Sequence, residues 1–287
     1  MLKRIITSIV ALIILAPILI FHNTWLLPVA MSILAVVGVL EMTACIGFKF
    51  KWYLSIPICA VAAVLPIYMR YTFENGRALL SALKLCVSLA IVLSLYVFGV
   101  AVFANKSVPI ADAGLLLASS LYILSAFTAI VYIHDYIING SYIYLLTFIC
   151  SWTTDIFAYF TGRFLGKHKL IPAVSPKKTV EGAIGGIVFC VASTVLFGFI
   201  IVKFFNPQAI IKANYLILAI SGVLISIVSQ VGDLIMSVIK RHYGIKDYGK
   251  VFPGHGGVLD RFDSVLAVSL ILTVICTYFD LLSIVIT

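Results

Sequence analysis

The chain has 287 residues, of which 63% are hydrophobic and 11% are charged, and its mean hydropathy is +1.18. Soluble domains are closer to half apolar and a quarter charged, so a soluble fold of this size could not bury so much apolar surface. The formal net charge of +9 therefore indicates a positive-inside bias and contact with anionic membrane lipids, and not binding to nucleic acid.

Apolar runs long enough to cross a bilayer follow one another along the whole chain. A spanning helix needs about 20 mostly apolar residues. Nine spans are predicted, at residues 5–21, 26–46, 52–69, 78–104, 108–132, 142–160, 180–205, 215–239 and 264–287. The first follows M-L-K-R without a cleavage pattern, so we interpret it as a retained helix. The predicted fold is an all-α polytopic integral membrane protein.

The basic residues alternate between the two sides of this layout. Fifteen fall on one side: Lys3, Arg4, Lys49, Lys51, Lys106, Arg163, Lys167, Lys169, Lys177, Lys178, Lys240, Arg241, Lys246, Lys250 and Arg261. The other side has Arg70, Arg77, Lys203 and Lys212. The positive-inside rule places the larger group in the cytoplasm, which predicts a cytoplasmic N-terminus and an outer C-terminus.

The predicted organisation is a single membrane domain over residues 1–287. It divides into N-terminal transmembrane helices, 1–140, and a C-terminal region, 141–287, with most of the unusual polar residues. Other charged residues are given structural or solvent roles: Asp112 in a first helical turn after Pro109, Glu41, Lys84 and Asp280 near span ends, and His134 and Asp135 in an outer loop.

Asp155 lies in W-T-T-D-I-F-A-Y-F, near the cytoplasmic end of the sixth span. A carboxylate within a span is costly, so it is a candidate functional group. A snorkelling Asp155 at the helix end is the alternative. The basic loop that follows would bring cations to a polar cleft at this end of the span.

The stretch S-P-K-K-T-V-E-G precedes the seventh span. Thr179 is a predicted N-cap. Ser175, Lys177 and Lys178 lie beside Pro176 in a predicted tight turn, where a hydroxyl and two ammonium groups suit phosphate binding. The positive-inside bias alone is an alternative explanation for the two lysines.

The eighth span has one polar face. Gln230, Asp233 and Ser237 are three and four residues apart and share that face, and Lys240 and Arg241 extend it towards the cytoplasm. A polar seam between helices is the alternative interpretation.

The loop before the last span is rich in glycine and charge. Gly254 precedes His255 and Gly256 and Gly257 follow it, and free N–H groups in such a turn can bind anions. Asp260 and Asp263 open the last helix on one face, and paired carboxylates suit a hard cation that holds phosphate. Helix capping would explain one of these aspartates.

At these positions the chain resembles the phosphatidate cytidylyltransferase family. The signature S-x-x-K-R, K-D-x-G, P-x-H-G-G, D-R-x-D is matched in order and spacing by Ser237, Lys240, Arg241, Lys246, Asp247, Gly249, Pro253, His255, Gly256, Gly257, Asp260, Arg261 and Asp263. Asp155, S-P-K-K-T-x-E-G and Q-x-G-D-L also look like this family.

The resemblance implies an enzyme that transfers CMP from CTP to phosphatidic acid, uses Mg²⁺ and works as a homodimer in the membrane. The brevity of the chain favours a bacterial plasma membrane, and the basic loops place the expected active site on its cytoplasmic face. Asp233 and Asp260 are then the expected metal ligands. The expected catalytic residues are Asp233, Asp260, Asp263, Asp155, Lys240 and Arg261. The expected substrate-binding residues are Ser175, Lys177, Lys178, Ser237, Arg241, Lys246, His255, Gly256 and Gly257.

Two other functions are kept as alternatives. A secondary transporter of an anionic substrate also has carboxylates and glycines within its spans, but its polar groups should lie near the midplane of both halves. A CTP-dependent polyprenol kinase would share the nucleotide, but the full signature argues against it.

Overall fold

The computed structural model describes residues 16–49, 51–77, 79–104, 106–206, 210–252, 254 and 256–284. Most of these residues are helical. The helices are α1 (Leu26–Cys45), α2 (Trp52–Glu74), α3 (Leu79–Phe103), α4 (Ile110–Tyr136), α5 (Gly140–Ile143), α6 (Leu145–Phe164), α7 (Val180–Phe204), α8 (Tyr215–His242) and α9 (Leu259–Tyr278). Four short strands join them: β1 (Lys169–Ile171), β2 (Ser175–Thr179), β3 (Ile211–Ala213) and β4 (Leu282–Ile284).

Seven helical segments of the described chain are long and apolar enough to cross a bilayer. They are α1, α2, α3, α4, the segment Gly140–Phe164, α7 and α8. A helix satisfies its own backbone hydrogen bonds, which is why apolar runs in lipid become helices. The protein is therefore a polytopic α-helical membrane protein, as the composition predicts. The second to eighth predicted spans each match one of these segments within a few residues.

The first and last predicted spans are less complete. The first lies mostly outside the described residues, although residues 16–20 are helical. For the last, α9 begins at Leu259 and ends at Tyr278, and a strand follows instead of more helix. This strand pairs antiparallel with Ile211–Ala213, so its backbone groups find partners outside a helix. The count of nine and the cytoplasmic N-terminus stay predictions.

The two short sheets were not predicted. β1 and β2 form an antiparallel pair in which Ile171 lies opposite Ser175 and Lys169 opposite Thr179. The expected tight turn around Pro176 is therefore wrong, because the stretch S-P-K-K-T is an extended strand. It presents Lys177 and Lys178 along a hairpin that leads directly into α7.

The described residues form two compact units. The first contains the chain up to Val131 together with His242–Phe262. In this unit Gly38 lets α1 approach α9, since a Cβ there would lie 3.1 Å from Leu259 Cδ2. The second contains Tyr132–Arg241 and the chain from Asp263 onward. In the second unit a Cβ at Gly182 would lie 2.6 Å from the carbonyl oxygen of Ala158, so the small residue lets α7 pack closely on α6.

Asp112 has a structural partner in the first unit. It lies in the first turn of α4, as predicted, and its Oδ1 accepts a 2.6 Å hydrogen bond from the phenol of Tyr243. Burial and this hydrogen bond raise the pKa of Tyr243 above its ordinary value. Asp112 therefore helps to fasten the segment that follows α8.

The assignment of His134 and Asp135 to a solvated outer loop is wrong. Both lie in α4, both are buried, and His134 Nδ1 is 2.6 Å from Asp135 Oδ1. These two polar residues lower the local hydropathy, so the predicted span ends before them. In the structure their side chains pair with each other, and the helix continues to Tyr136.

The sidedness prediction can be tested directly. A reporter inserted between β1 and β2, at residues 172–174, should respond from the cytoplasm, and a reporter fused after Thr287 should respond from outside. The charge split motivates this result. Signals from the same side of the membrane would contradict the predicted layout.

Candidate active site

Three aspartates come together in the second unit. Asp155 lies on α6, Asp233 on α8 and Asp263 in the first turns of α9. Their carboxylates interact electrostatically: Asp155 with Asp233, and Asp263 with both. Like charges at close range raise the free energy of the site unless cations offset them.

Lysines supply part of that compensation. Lys178 Nζ lies 2.6 Å from Asp233 Oδ2, and both side chains are partly buried. Lys240 interacts electrostatically with Asp263. These two ammonium groups offset part of the carboxylate charge, and a divalent cation that arrives with an anionic substrate would offset more of it.

Hydroxyl and amide groups orient the aspartates. Ser237 donates to Asp233 Oδ1 at 3.2 Å, one helical turn away, as the shared polar face of α8 predicts. Ser264 donates to Asp155 Oδ1 at 3.3 Å. Gln230, on the same face of α8, donates to the carbonyl oxygen of Ala183 at 3.2 Å and ties α8 to α7.

The N-terminus of α7 fixes the position of Lys178. Thr179 caps the helix, because its hydroxyl accepts from the Gly182 N–H at 3.1 Å. Glu181 in the first turn accepts from the backbone N–H groups of Lys167 and His168 at 3.0 and 3.2 Å. These bonds hold the β1–β2 hairpin against the helix, so Lys178 lies on a braced strand.

A pocket of about 270 Å³ opens beside the aspartates. Its polar lining includes Asp155 and Asp233, with Arg163, Lys177 and Lys178 as the basic groups. Carboxylates and cations around one opening are what a bound metal-phosphate group requires.

Two residues of this pocket are not among the predicted site residues. Tyr159 and Arg163 line it, and Arg163 Nη1 donates to the Tyr159 hydroxyl at 3.0 Å. They follow Asp155 at intervals of four residues on α6, so they share its helix face. Reading that face beyond Asp155 would have found both.

The remaining predicted residues are distributed over both units. Ser175 lies on β2 and Arg241 near the end of α8, both in the second unit. The residues in the first unit are Lys246, Gly256, Gly257, Asp260 and Arg261. His255 lies outside the described residues.

Asp260 bonds to the loop that precedes it. Its Oδ2 accepts from the backbone N–H groups of Tyr248 and Gly257, each at 2.8 Å. The Gly257 N–H is therefore bonded to Asp260 in this structure, and the substrate-binding role of Gly256 and Gly257 stays a prediction.

The sequence-predicted metal pair stays a prediction, because Asp233 and Asp260 belong to different units. Among the described residues, no three His, Cys, Asp or Glu side chains are arranged as a ready-made set of metal ligands. Mg²⁺ usually takes one or two carboxylates and completes its shell with water and substrate phosphates. Asp233 with Asp263 is a donor set of that kind.

Comparison with known proteins agrees with the signature. A profile described as the cytidylyltransferase family matches residues 2–279. Proteins from Staphylococcus haemolyticus and Staphylococcus aureus strain COL, each named phosphatidate cytidylyltransferase, are 34% identical over 272 residues, which covers 95% of this chain and 97% of theirs. A protein of the same name from Staphylococcus epidermidis is 33% identical over the same share. The chain therefore belongs to the cytidylyltransferase family.

Proposed function

We propose that this protein is a phosphatidate cytidylyltransferase, a nucleotidyltransferase of phospholipid biosynthesis. A phosphate oxygen of phosphatidic acid attacks the α-phosphorus of CTP, a new P–O bond forms, and the bond to the β-phosphate breaks. The products are CDP-diacylglycerol and pyrophosphate. The observation that carries this proposal is the aspartate and lysine cluster beside the basic pocket, in a chain whose full-length relatives have this name.

The basic residues of the pocket neutralise the reactants. Both substrates are highly anionic, so their approach is unfavourable until cations surround the phosphates. Lys177, Lys178 and Arg163 line one opening and can contact phosphate oxygens without large movement. Lys240 and Arg241 extend α8 beyond Asp233 and provide further positive charge at the same end of the helix.

Mg²⁺ is the proposed cofactor, and Asp233 and Asp263 are the carboxylates of the second unit that would hold it. When bound, it supplies charge neutralisation for the triphosphate and the leaving group. Lys178 holds Asp233 Oδ2 and Ser237 holds Oδ1, so this carboxylate is oriented before a metal arrives. Ser264 similarly fixes Asp155, which lines the pocket.

The location proposed for this chemistry is the cytoplasmic face of a bacterial plasma membrane. The unequal distribution of Lys and Arg between the two sides supports a cytoplasmic location, and CTP is a cytoplasmic nucleotide. A homodimer is proposed from the family resemblance.

The test uses the purified protein in detergent with phosphatidic acid, Mg²⁺ and CTP labelled in the cytosine ring. The label should move into a lipid product, and pyrophosphate should be released. ATP at the same concentration should give little lipid nucleotide. In a parallel reaction with a polyprenol in place of phosphatidic acid, labelled CDP with phosphorylated polyprenol would indicate a lipid kinase instead. No turnover of CTP in either reaction would leave a transporter as the better account.

A further inference from the structure

The last helix of the signature begins without a cap of its own. Val258 precedes Leu259 at the start of α9, and its apolar side chain has no acceptor for the orphan N–H groups of the first turn. Glu41 supplies the acceptors from α1. Its Oε1 accepts from the Val258 N–H and its Oε2 from the Leu259 N–H, each at 2.9 Å.

Glu41 is a buried carboxylate, 7% exposed, and not the snorkelling side chain that its place near a span end predicts. Burying a carboxylate costs free energy, which hydrogen bonds must offset. It also interacts unfavourably with the nearby carboxylate of Asp260. A neutral acceptor could cap a helix without these costs, so capping alone does not explain a glutamate here.

The loop before α9 is shaped around this carboxylate. Gly249 and Gly257 approach it so closely that a Cβ at either position would overlap Glu41 Oε1. Asp260 holds the same loop from its other side, through the N–H groups of Tyr248 and Gly257. Two carboxylates thus fix the backbone of the signature loop at four N–H groups.

We propose that Glu41 is a positioning residue for the reaction: its buried carboxylate fixes the described residues of the signature loop, 248–252, 254 and 256–259, in the shape that binds CTP. These residues include Gly256 and Gly257 and lead into Asp260 and Arg261, so their backbone sets where these groups meet the nucleotide. This inference rests on the proposed function. It gives the N-terminal half of the chain a role in shaping the signature loop, although the signature itself lies wholly in the C-terminal half.

The first arm of the test compares Glu41→Ala and Glu41→Gln with the wild type in the CTP assay. Glutamine keeps one acceptor oxygen and loses the charge. We expect KM for CTP to rise about tenfold or more in Glu41→Ala and by less in Glu41→Gln, since each charge-assisted hydrogen bond contributes a substantial share of the loop's order. KM for phosphatidic acid should change little. Glu74→Gln is the matched control, because Glu74 is a helical glutamate paired with Arg70 at 2.9 Å on α2.

The second arm uses the close approach of Gly249. Gly249→Ala adds a methyl group where the Glu41 carboxylate lies, so it should displace the carboxylate and raise KM for CTP as Glu41→Ala does. The double variant Glu41→Ala/Gly249→Ala should be no worse than either single variant, because the added methyl group then fills the vacated space. Such a non-additive effect is expected when two residues act through one shared contact.

The outcomes separate this inference from the function on which it rests. Wild-type turnover of CTP establishes the activity, whatever the variants do. A merely structural role would lower kcat and the yield of folded protein together while KM for CTP stays unchanged, and that result would overturn the inference. Multiplicative losses in the double variant would also overturn it. If Glu41→Ala does not fold, Glu41→Gln and Gly249→Ala decide the question by the same KM criterion.

Discussion

Asp233→Asn is expected to reduce kcat/KM by at least about two orders of magnitude. Asparagine keeps the shape and one acceptor oxygen for Ser237, but it removes the negative charge that pairs with Lys178 and that would bind Mg²⁺. Metal-assisted stabilisation of transferring phosphates contributes several kcal/mol, and each ~1.4 kcal/mol corresponds to about a tenfold change in rate. Initial rates at several Mg²⁺ concentrations would measure the loss.

Asp112→Asn is the matched control, because it makes the same chemical change at a carboxylate that accepts a hydrogen bond from Tyr243 and does not belong to the aspartate cluster. It should remain close to wild type, and both variants should elute from gel filtration as the wild type does. Asp260→Asn is expected to lose activity as well, from the family signature. Near-normal Mg²⁺-dependent activity in Asp233→Asn would contradict the site assignment, whatever Asp260→Asn does.

Lys178→Gln is expected to lower kcat/KM by about a hundredfold. The change leaves Asp233 without the ammonium group that lies 2.6 Å from its Oδ2, and it removes one cation from the phosphate pocket. Losing one partner of a partly buried ion pair leaves the other charge inadequately solvated, so the cluster should bind anionic substrate poorly. Saturation curves for CTP and for phosphatidic acid would show which substrate loses more.

Lys169→Gln provides the control for this variant. Lys169 lies on β1 of the same hairpin, opposite Thr179, and it does not line the pocket. The change removes the same charge from the same strand pair. Equal losses of activity in the two variants would show that the general positive charge of the hairpin matters and not the contact with Asp233.

The membrane fold could be predicted because composition alone determines it. In lipid a long apolar run forms an α-helix, because the helix satisfies its own backbone hydrogen bonds. Hydropathy therefore predicts seven spans within a few residues of their observed ends. The polar face of α8 could also be predicted, since Asp233 and Ser237 are one turn apart on a single helix. Patterns within one short segment of sequence are sufficient to predict the membrane spans and the polar face of α8.

Contacts between distant segments could not be predicted in this way. Glu41 and Val258 are 217 positions apart, and nothing in either segment indicates that they meet. A glutamate near the end of a span has the same sequence pattern whether its side chain is buried or snorkels to the membrane surface. The short strands were missed for a related reason, because each has three to five residues and owes its conformation to its partner.

The pairing of Lys178 with Asp233 could be predicted only in part. The sequence predicts both residues as site components but not which cation meets which carboxylate. The strand conformation of S-P-K-K-T decides that, since it directs Lys178 towards α8 while Lys177 faces the pocket opening as an exposed side chain.

The most direct test of the central claim follows the phosphorus atoms of CTP through one reaction of the purified protein. CTP labelled at the α-phosphorus should deliver its label to CDP-diacylglycerol, and CTP labelled at the γ-phosphorus should deliver its label to pyrophosphate, in equal amounts. Asp233→Asn should give neither product above background. Label from the γ-phosphorus in the lipid, with CDP as the other product, would contradict the account.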